Sequence, residues 1–138
     1  MTQDFTGSCL CGAIAFELTG DIAAFFLCYC SRCRKGTGSA HAANLFAPDA
    51  LIYWTRGAEH LRQYQHNNSR HCRSFCPTCA SPMPQVQPDC IVIPAGCLDQ
   101  VPEVPISAGI CWSDRAKWVD GIAAADKTDG LPQNHSRR

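Results

Sequence analysis

The stretch CYCSRCRKGTG, residues 28–38, places three cysteines within six positions and follows them with basic residues and two glycines. Thiols this close together can bind a metal ion, form a disulfide bond or pack as small apolar side chains. The spacing of the other cysteines in the chain distinguishes these interpretations.

Cysteine is the most unusual feature of the composition, with 11 residues in 138. In a secreted protein this density would indicate a disulfide framework, but an odd count fits that poorly. The N-terminal segment MTQDFTGS has neither the basic nor the apolar stretch of an export signal. The expected location is therefore the reducing cytoplasm, where thiols serve metal binding, catalysis or packing.

Seven of the cysteines fall into three closely spaced groups. The first is Cys9 with Cys11, the second is Cys28 with Cys30 and Cys33, and the third is Cys76 with Cys79. Residues two apart on a strand point to one side, so a C-x-C pair can direct both sulfurs at one ion. A C-x-x-C turn does the same, and Pro77 preforms that turn here. Zinc is the ion expected for clustered thiolates. The spacing therefore predicts zinc binding rather than seven separately buried thiols.

The number of ligands divides these groups between two zinc ions. Cys9, Cys11, Cys76 and Cys79, called the tetrad below, supply the four thiolates of a closed structural site. Cys28, Cys30 and Cys33, called the trio, supply three. Three protein ligands with one open position are typical of a catalytic zinc.

Two alternatives stay open for the trio. Another side chain could close its zinc site, and the candidates are Cys72, Cys90, Cys97, Cys111, His41 and His71. Either C-x-x-C, at 30–33 or 76–79, could instead be a redox dithiol, although the βαβ pattern that usually accompanies one is absent.

The residues that follow the trio are expected to form one helical turn. Ser31 is a candidate N-cap for a turn through Lys35, which Gly36 and Gly38 would end. Cys33 would then lie in the first turn, where backbone N–H groups favour a thiolate.

Short alternating apolar runs, separated by prolines and polar turns, predict an all-β, β-dominated fold. In the segment 7–19, for example, Ile14, Phe16 and Leu18 alternate with smaller or charged residues. Other strands are expected at 22–30, 41–47, 51–55, 60–65, 70–75, 90–96 and near 105–112. One domain is predicted for residues 1–122, followed by a polar tail, residues 123–138, that is expected to be partly disordered.

The charge balance limits the partners that the chain is expected to have. With 12 basic and 12 acidic residues, the formal net charge is zero. Proteins that coat nucleic acid or an anionic membrane need a basic excess. The longest apolar stretch, IAAFFLCYC at 22–30, is too short to span a bilayer. We therefore expect a soluble protein with neither nucleic acid nor membrane as a partner.

Taken together, the motifs resemble one known family. GSCLCGAIAFEL, CYCSRCRKGTGS, RSFCPTCASPMP, IPAGCLD, and AKWVDGI with DGLP run in order over roughly residues 7–132. They resemble the glutathione-dependent formaldehyde-activating enzyme family, which also includes centromere protein V. The resemblance implies an Mss4-like fold of short antiparallel sheets that holds two zinc ions, a structural one on the tetrad and a catalytic one on the trio.

The resemblance also implies an activity. The family reaction joins glutathione and formaldehyde into S-hydroxymethylglutathione, formally as a carbon–sulfur lyase. The expected function of this chain is that reaction or one on a related glutathione adduct. Glutathione carries two carboxylates, and the first candidates to orient it are Arg32 and Lys35, with Arg34, Arg73 and Lys117 as further ones. The alternative is a non-catalytic, zinc-stabilised binding module.

Residue 80 departs from the family pattern. It is Ala where relatives have the glycine that follows the second C-x-x-C cysteine. A positive φ would be natural for glycine at this position and strained for alanine.

Overall fold

Eleven short strands and one helix account for the regular structure of the chain, in a computed structural model that describes residues 2–132. The strands are β1 (Gln3–Ser8), β2 (Ala15–Gly20), β3 (Ala24–Cys28), β4 (Ala42–Ala47), β5 (Leu51–Arg56), β6 (Arg62–Gln65), β7 (Cys72–Phe75), β8 (Pro82–Met83), β9 (Gln85–Gln87), β10 (Cys90–Pro94) and β11 (Ala108–Ile110). The helix, α1, is Ser31–Thr37. Four 3₁₀ turns lie at Ala58–His60, Ala95–Cys97, Trp112–Asp114 and Lys117–Gly121. The β-dominated fold predicted from the sequence is confirmed.

The strands form three small sheets. The first has the order β1-β2-β5, the second β11-β3-β4-β10-β9 and the third β6-β7-β8. Every neighbouring pair is antiparallel except β11 and β3, which run parallel. Among residues 2–132, no helix is long and apolar enough to cross a membrane.

The core lies between the first and second sheets. Phe16 and Leu18 of β2 are each 1% exposed, as the alternation in the sequence predicts. They belong to one buried cluster with Leu45 of β4 and with Ile91 and Ile93 of β10. One face of the five-stranded sheet is thus buried in the core.

The opposite face of the same sheet remains outside this core. Cys28 pairs with Ala42, and Phe26 pairs with Asn44, so these side chains share one side of the sheet. On that side, the rings of Phe26 and Phe46 pack edge to face with centroids 5.6 Å apart. This face is therefore free to line a binding site. Cys28, the last residue of β3, lies on this face and belongs to the trio.

Strand β1 was not predicted from the sequence. The predicted segment 7–19 instead contains the end of β1, a turn and most of β2. The reason is that Phe5 is the only large apolar residue that β1 buries. One such residue is too little for a period-two pattern to be recognised.

The helix also differs from its prediction at both ends. Ser31 is its first residue rather than its N-cap, because the side chain of Cys30 accepts a hydrogen bond from the Cys33 N–H. At the other end, the helix continues through Gly36. It is ended by Gly38, which takes a left-handed conformation with φ 69° and donates its N–H to the Arg34 carbonyl.

The predicted tail is only partly covered by the structure. Its described part, residues 123–132, is exposed and contains neither strand nor α-helix. Residues 133–138 lie outside the described residues. The domain boundary at residue 122 and the disorder of the tail therefore stay predictions.

Gly7 marks a close approach between β1, β2 and the Ala95–Cys97 turn. It pairs with Phe16, and a Cβ atom on it would lie 2.5 Å from the Cys97 carbonyl oxygen and closer still to the Phe16 ring. We expect Gly7→Ala to lower the free energy of unfolding by about 1–3 kcal/mol, because overpacked cores are destabilised by that amount. Urea denaturation followed by circular dichroism measures this change.

The matched control is Gly96→Ala, since a Cβ on Gly96 would meet no atom within 4 Å. It should change the free energy of unfolding by less than about 0.5 kcal/mol. Equal stability of the two variants would contradict the close packing described around Gly7.

Candidate metal centres and the adjoining groove

The tetrad is assembled from two turns that lie far apart in the sequence. Cys9 and Cys11 lie in the turn between β1 and β2, whereas Cys76 and Cys79 lie in the turn between β7 and β8. The four sulfur atoms lie within 4.8 Å of one another. Cys9 and Cys76 are buried, with exposed fractions of 2% and 0%. A turn of the first sheet is thereby held against a turn of the third.

The distances between these sulfur atoms fit a tetrahedral zinc ion. Those of Cys9 and Cys11 are 3.7 Å apart, and those of Cys11 and Cys76 are 3.8 Å apart. Tetrahedral zinc with Zn–S bonds of ~2.3 Å separates its ligands by about 3.8 Å, whereas a disulfide needs ~2.05 Å. The arrangement suits a shared cation and not a disulfide bond.

Hydrogen bonds favour the thiolate form of two tetrad cysteines, Cys79 and Cys9. At Cys11, by contrast, a hydrogen bond from the backbone of Ala13 acts to lower the pKa, but burial and the neighbouring sulfurs outweigh it and raise the pKa to about 11. The Ser81 hydroxyl, 3.2 Å from the sulfur of Cys79, is the main cause that lowers the pKa of Cys79 to about 5. Burial acts to raise the pKa of Cys9, but the N–H of Ile14, 3.3 Å away, and the neighbouring sulfurs outweigh it and lower it. Negatively charged sulfur is the form that binds a metal.

The trio surrounds the start of α1. Cys28 ends β3, Cys30 caps the helix and Cys33 is buried in the first turn. Their three sulfur atoms lie within 4.8 Å of one another, and within residues 2–132 no further Cys, His, Asp or Glu joins this group. Three sulfur donors this close together can hold a soft divalent ion such as zinc.

The helix acts on a different sulfur from the one predicted. The N–H of Cys33 is directed at the sulfur of Cys30, at 3.4 Å, and not at its own sulfur. This contact and neighbouring sulfurs outweigh burial and lower the pKa of Cys30. Burial and the sulfurs of Cys28 and Cys30 raise the pKa of Cys33. The sequence-based expectation of a helix-favoured thiolate therefore applies to Cys30.

None of the candidate side chains that could have closed the zinc site of the trio is close enough to join its three sulfur atoms. Cys72, Cys111 and His71 line a groove beside the trio. The ring of His41 packs edge to face on Tyr29, with centroids 5.1 Å apart. Burial raises the pKa of Cys97 to about 12, which is typical of a structural thiol.

The groove beside the trio encloses about 850 Å³, within the ~300–1,000 Å³ range of ligand sites. Its floor is the free face of the five-stranded sheet, formed by Ala42, Asn44, Phe46 and Val92. Cys33, Gly36 and Thr37 of α1 close one side, and residues 70–74, on and before β7, form the opposite wall. Of the trio, Cys33 is the member that reaches this space.

The cations predicted to bind a substrate are distributed unevenly around the groove. Arg32 and Lys35 are exposed and do not line it. Lys117 does not line it either. Arg73 lines the groove, and so does Arg70, which the sequence analysis did not identify. Nothing local in the sequence marks Arg70, since its position depends on how two sheets pack.

The turn that carries Cys76 and Cys79 contains the backbone strain expected from the sequence. Ala80 has φ 64°, and its N–H donates to the Cys76 carbonyl over 2.7 Å. A left-handed conformation costs a residue with a Cβ about 1–2 kcal/mol, while glycine loses about 0.5–1 kcal/mol of backbone freedom on folding. We expect Ala80→Gly to raise the free energy of unfolding by about 0.5–1 kcal/mol, measured by urea denaturation of the zinc-loaded protein.

Ala58→Gly is the matched control, because Ala58 is also exposed but has no positive φ. It should lower the free energy of unfolding by up to about 1 kcal/mol. A loss of stability in both variants would show that Ala80 is not strained.

Comparison with known proteins agrees with the motifs. The family model described as glutathione-dependent formaldehyde-activating enzyme matches residues 4–114. A protein of Halomonas elongata named "Putative glutathione-dependent formaldehyde-activating enzyme" is 40% identical over 80 residues, which are 54% of this chain and 51% of that protein. The matched region thus spans about half the length of that curated relative.

A solved structure extends the similarity to the fold. The crystal structure of a Rhodobacter sphaeroides protein is similar to this chain with a TM-score of 0.52 and 26% sequence identity. The similarity covers 75% of this chain and 98% of that one. The matching family model includes every cysteine of the tetrad and the trio. The chain therefore belongs to the glutathione-dependent formaldehyde-activating enzyme family.

Proposed function

We propose that this protein is a zinc-dependent carbon–sulfur lyase that joins glutathione and formaldehyde into S-hydroxymethylglutathione, or acts on a related glutathione adduct. The observation that carries the proposal is the contrast between the two cysteine groups. The tetrad has four sulfur donors in two turns, whereas the trio has three and adjoins a groove of ligand size. A structural zinc suits the tetrad, and a catalytic zinc with one exchangeable position suits the trio.

The reaction balances without a redox partner. The sulfur of glutathione forms a bond to the carbon of formaldehyde, the C=O π bond breaks, and the oxygen takes up the proton that the thiol loses. A zinc ion with an open position, when bound, supplies Lewis acidity that lowers the pKa of a thiol or polarises an aldehyde oxygen.

The residues of the chain hold the trio in place and provide an apolar surface on which the two reactants can meet. The Cys33 N–H holds the sulfur of Cys30 in place, and the Thr37 hydroxyl donates to the Cys33 carbonyl over 2.8 Å, which fixes the first turn of α1. The apolar floor, with Phe46 and Val92, brings the two reactants together beside Cys33. Holding both reactants in one place accounts for much of the rate enhancement expected for such an addition.

The number of bound metal ions is the first test. We expect two zinc ions per chain in native mass spectrometry of the reduced protein, and one in Cys33→Ser, because that variant removes a trio ligand. Cys90→Ser should retain two, since Cys90 belongs to neither group. A single zinc in the wild-type protein would contradict the catalytic site and favour the alternative of a non-catalytic binding module.

Activity is the second test. We expect the zinc-loaded protein to accelerate formation of S-hydroxymethylglutathione, followed by NMR with ¹³C-labelled formaldehyde. Cys33→Ser should lose about 100-fold or more of the acceleration, because Lewis-acid stabilisation of several kcal/mol is removed. Cys90→Ser should retain it. Two bound zinc ions without any acceleration would contradict the lyase function while leaving both metal sites intact.

A further inference from the structure

The wall of the groove that faces α1 carries two arginines without partners. Within the part of the chain that the structure describes, the side chains of Arg70 and Arg73 make no hydrogen bond and no ion pair. By contrast, Arg62 donates to the carbonyls of residues 59–61, and Arg115 pairs with Asp120 at 2.9 Å. The guanidinium groups beside the groove therefore keep their donors for something else.

The side chain of Arg73 lies close to Gly36 in the helix that carries Cys33. A Cβ atom built on Gly36 would lie 3.1 Å from Cδ and 3.4 Å from Nε of Arg73. The absence of a side chain at Gly36 is what permits this approach. Gly36 and Cys33 are three residues apart in α1 and so share one face of the helix. Arg73 thus approaches α1 one helical turn after Cys33.

The electrostatic surroundings of this wall are positive. Burial lowers the pKa of His71, and the charges of Arg32 and Arg73 lower it further. Asp89, in the turn between β9 and β10, is the one acidic residue among the described groove residues. The two arginines outnumber it, so the groove is suited to a ligand with more negative than positive groups. Glutathione, with two carboxylates and one ammonium group, has that balance.

We infer that Arg73, assisted by Arg70, binds a carboxylate of the thiol substrate in this groove and thereby selects anionic thiols over neutral ones. This inference rests on the proposed function and names the substrate-binding residues of the same site. A guanidinium group can bind a carboxylate through two parallel hydrogen bonds, which orients the ligand as well as attracting it. With the carboxylate held at Arg73, the thiol end of the ligand is free to reach Cys33.

The position of Arg73 distinguishes it from the other cations near the trio. Arg32 and Lys35 are nearer to the trio in sequence, but both are exposed and neither lines the groove. Their charges are exposed to solvent, which weakens their effect on a bound ligand. Arg73 instead lies inside the groove and beside apolar floor residues. A hydrogen bond to a charged ligand is stronger in such surroundings.

The test is the binding of S-methylglutathione, followed by isothermal titration calorimetry of the full-length, zinc-loaded protein. This probe keeps both carboxylates but has no thiol, so its binding depends on the groove and not on the metal. We expect Arg73→Gln to raise its Kd by about 10–100-fold and Arg70→Gln by a smaller factor. Arg73→Lys, which keeps the charge but not the paired donors, should fall between wild type and Arg73→Gln.

Arg62→Gln is the matched control. Arg62 belongs to the same three-stranded sheet, where it pairs with Phe75 of β7, but does not line the groove. Its Kd for S-methylglutathione should equal that of the wild-type protein. Each variant is compared at equal zinc content, measured by native mass spectrometry, so that a folding defect is not mistaken for lost recognition.

The outcomes separate this inference from the proposed function. An unchanged Kd in Arg73→Gln, or no binding of S-methylglutathione to the wild-type protein at millimolar concentration, would overturn the inference even if the enzyme is active. A raised Kd in Arg73→Gln, with the Kd of Arg62→Gln unchanged, supports the inference whether or not the protein turns over glutathione and formaldehyde. For an active enzyme, Arg73→Gln should lower kcat/KM for glutathione but leave that for 2-mercaptoethanol, which has no carboxylate, unchanged.

Discussion

The convergence of four sulfur atoms between two distant turns is the constraint on which the arrangement of the sheets depends. The third sheet shares no strand pairing with the other two. Cys76 and Cys79, at the end of its central strand, are instead held against Cys9 and Cys11. Four thiolates this close together repel one another unless a cation lies between them. A cation bound at the tetrad would therefore also hold the third sheet against the first.

The shape of the groove depends on where the third sheet lies. Its floor belongs to the second sheet and one wall to the third, so the distance between Phe46 and Arg73 depends on how the two sheets are joined. The five-stranded sheet serves both purposes, with one face in the core and the other under the groove. The structural role of the tetrad and the chemistry proposed for the trio are thus coupled through a single sheet, although their sulfur atoms form separate groups.

Local patterns in the sequence predicted local features of the structure. Features that depend on how the sheets pack could not be predicted from such patterns. The division of the cysteines is readable because metal-ligating thiols recur at spacings of two or three residues. The burial of Phe16 and Leu18 is readable because strands have a period of two. Arg70 has no such marker, since it lines the same groove as Cys33 only through the packing of separate elements. Proximity in sequence favoured Arg32 and Lys35 as substrate-binding residues, whereas neither of them lines the groove, so that role remains a prediction.

The sequence separation within each cysteine group also orders the events of folding. The trio spans six residues, so its sulfurs can meet as soon as one helical turn forms. The tetrad joins Cys11 to Cys76, 65 positions later in the chain, and must close a long loop that includes β3 and β4, two strands of the second sheet. The entropy lost on closing a loop grows with its length, and a contact across a long loop is made late. During synthesis on the ribosome, all three cysteines of the trio are therefore present while Cys76 and Cys79, half of the tetrad, have still to be added.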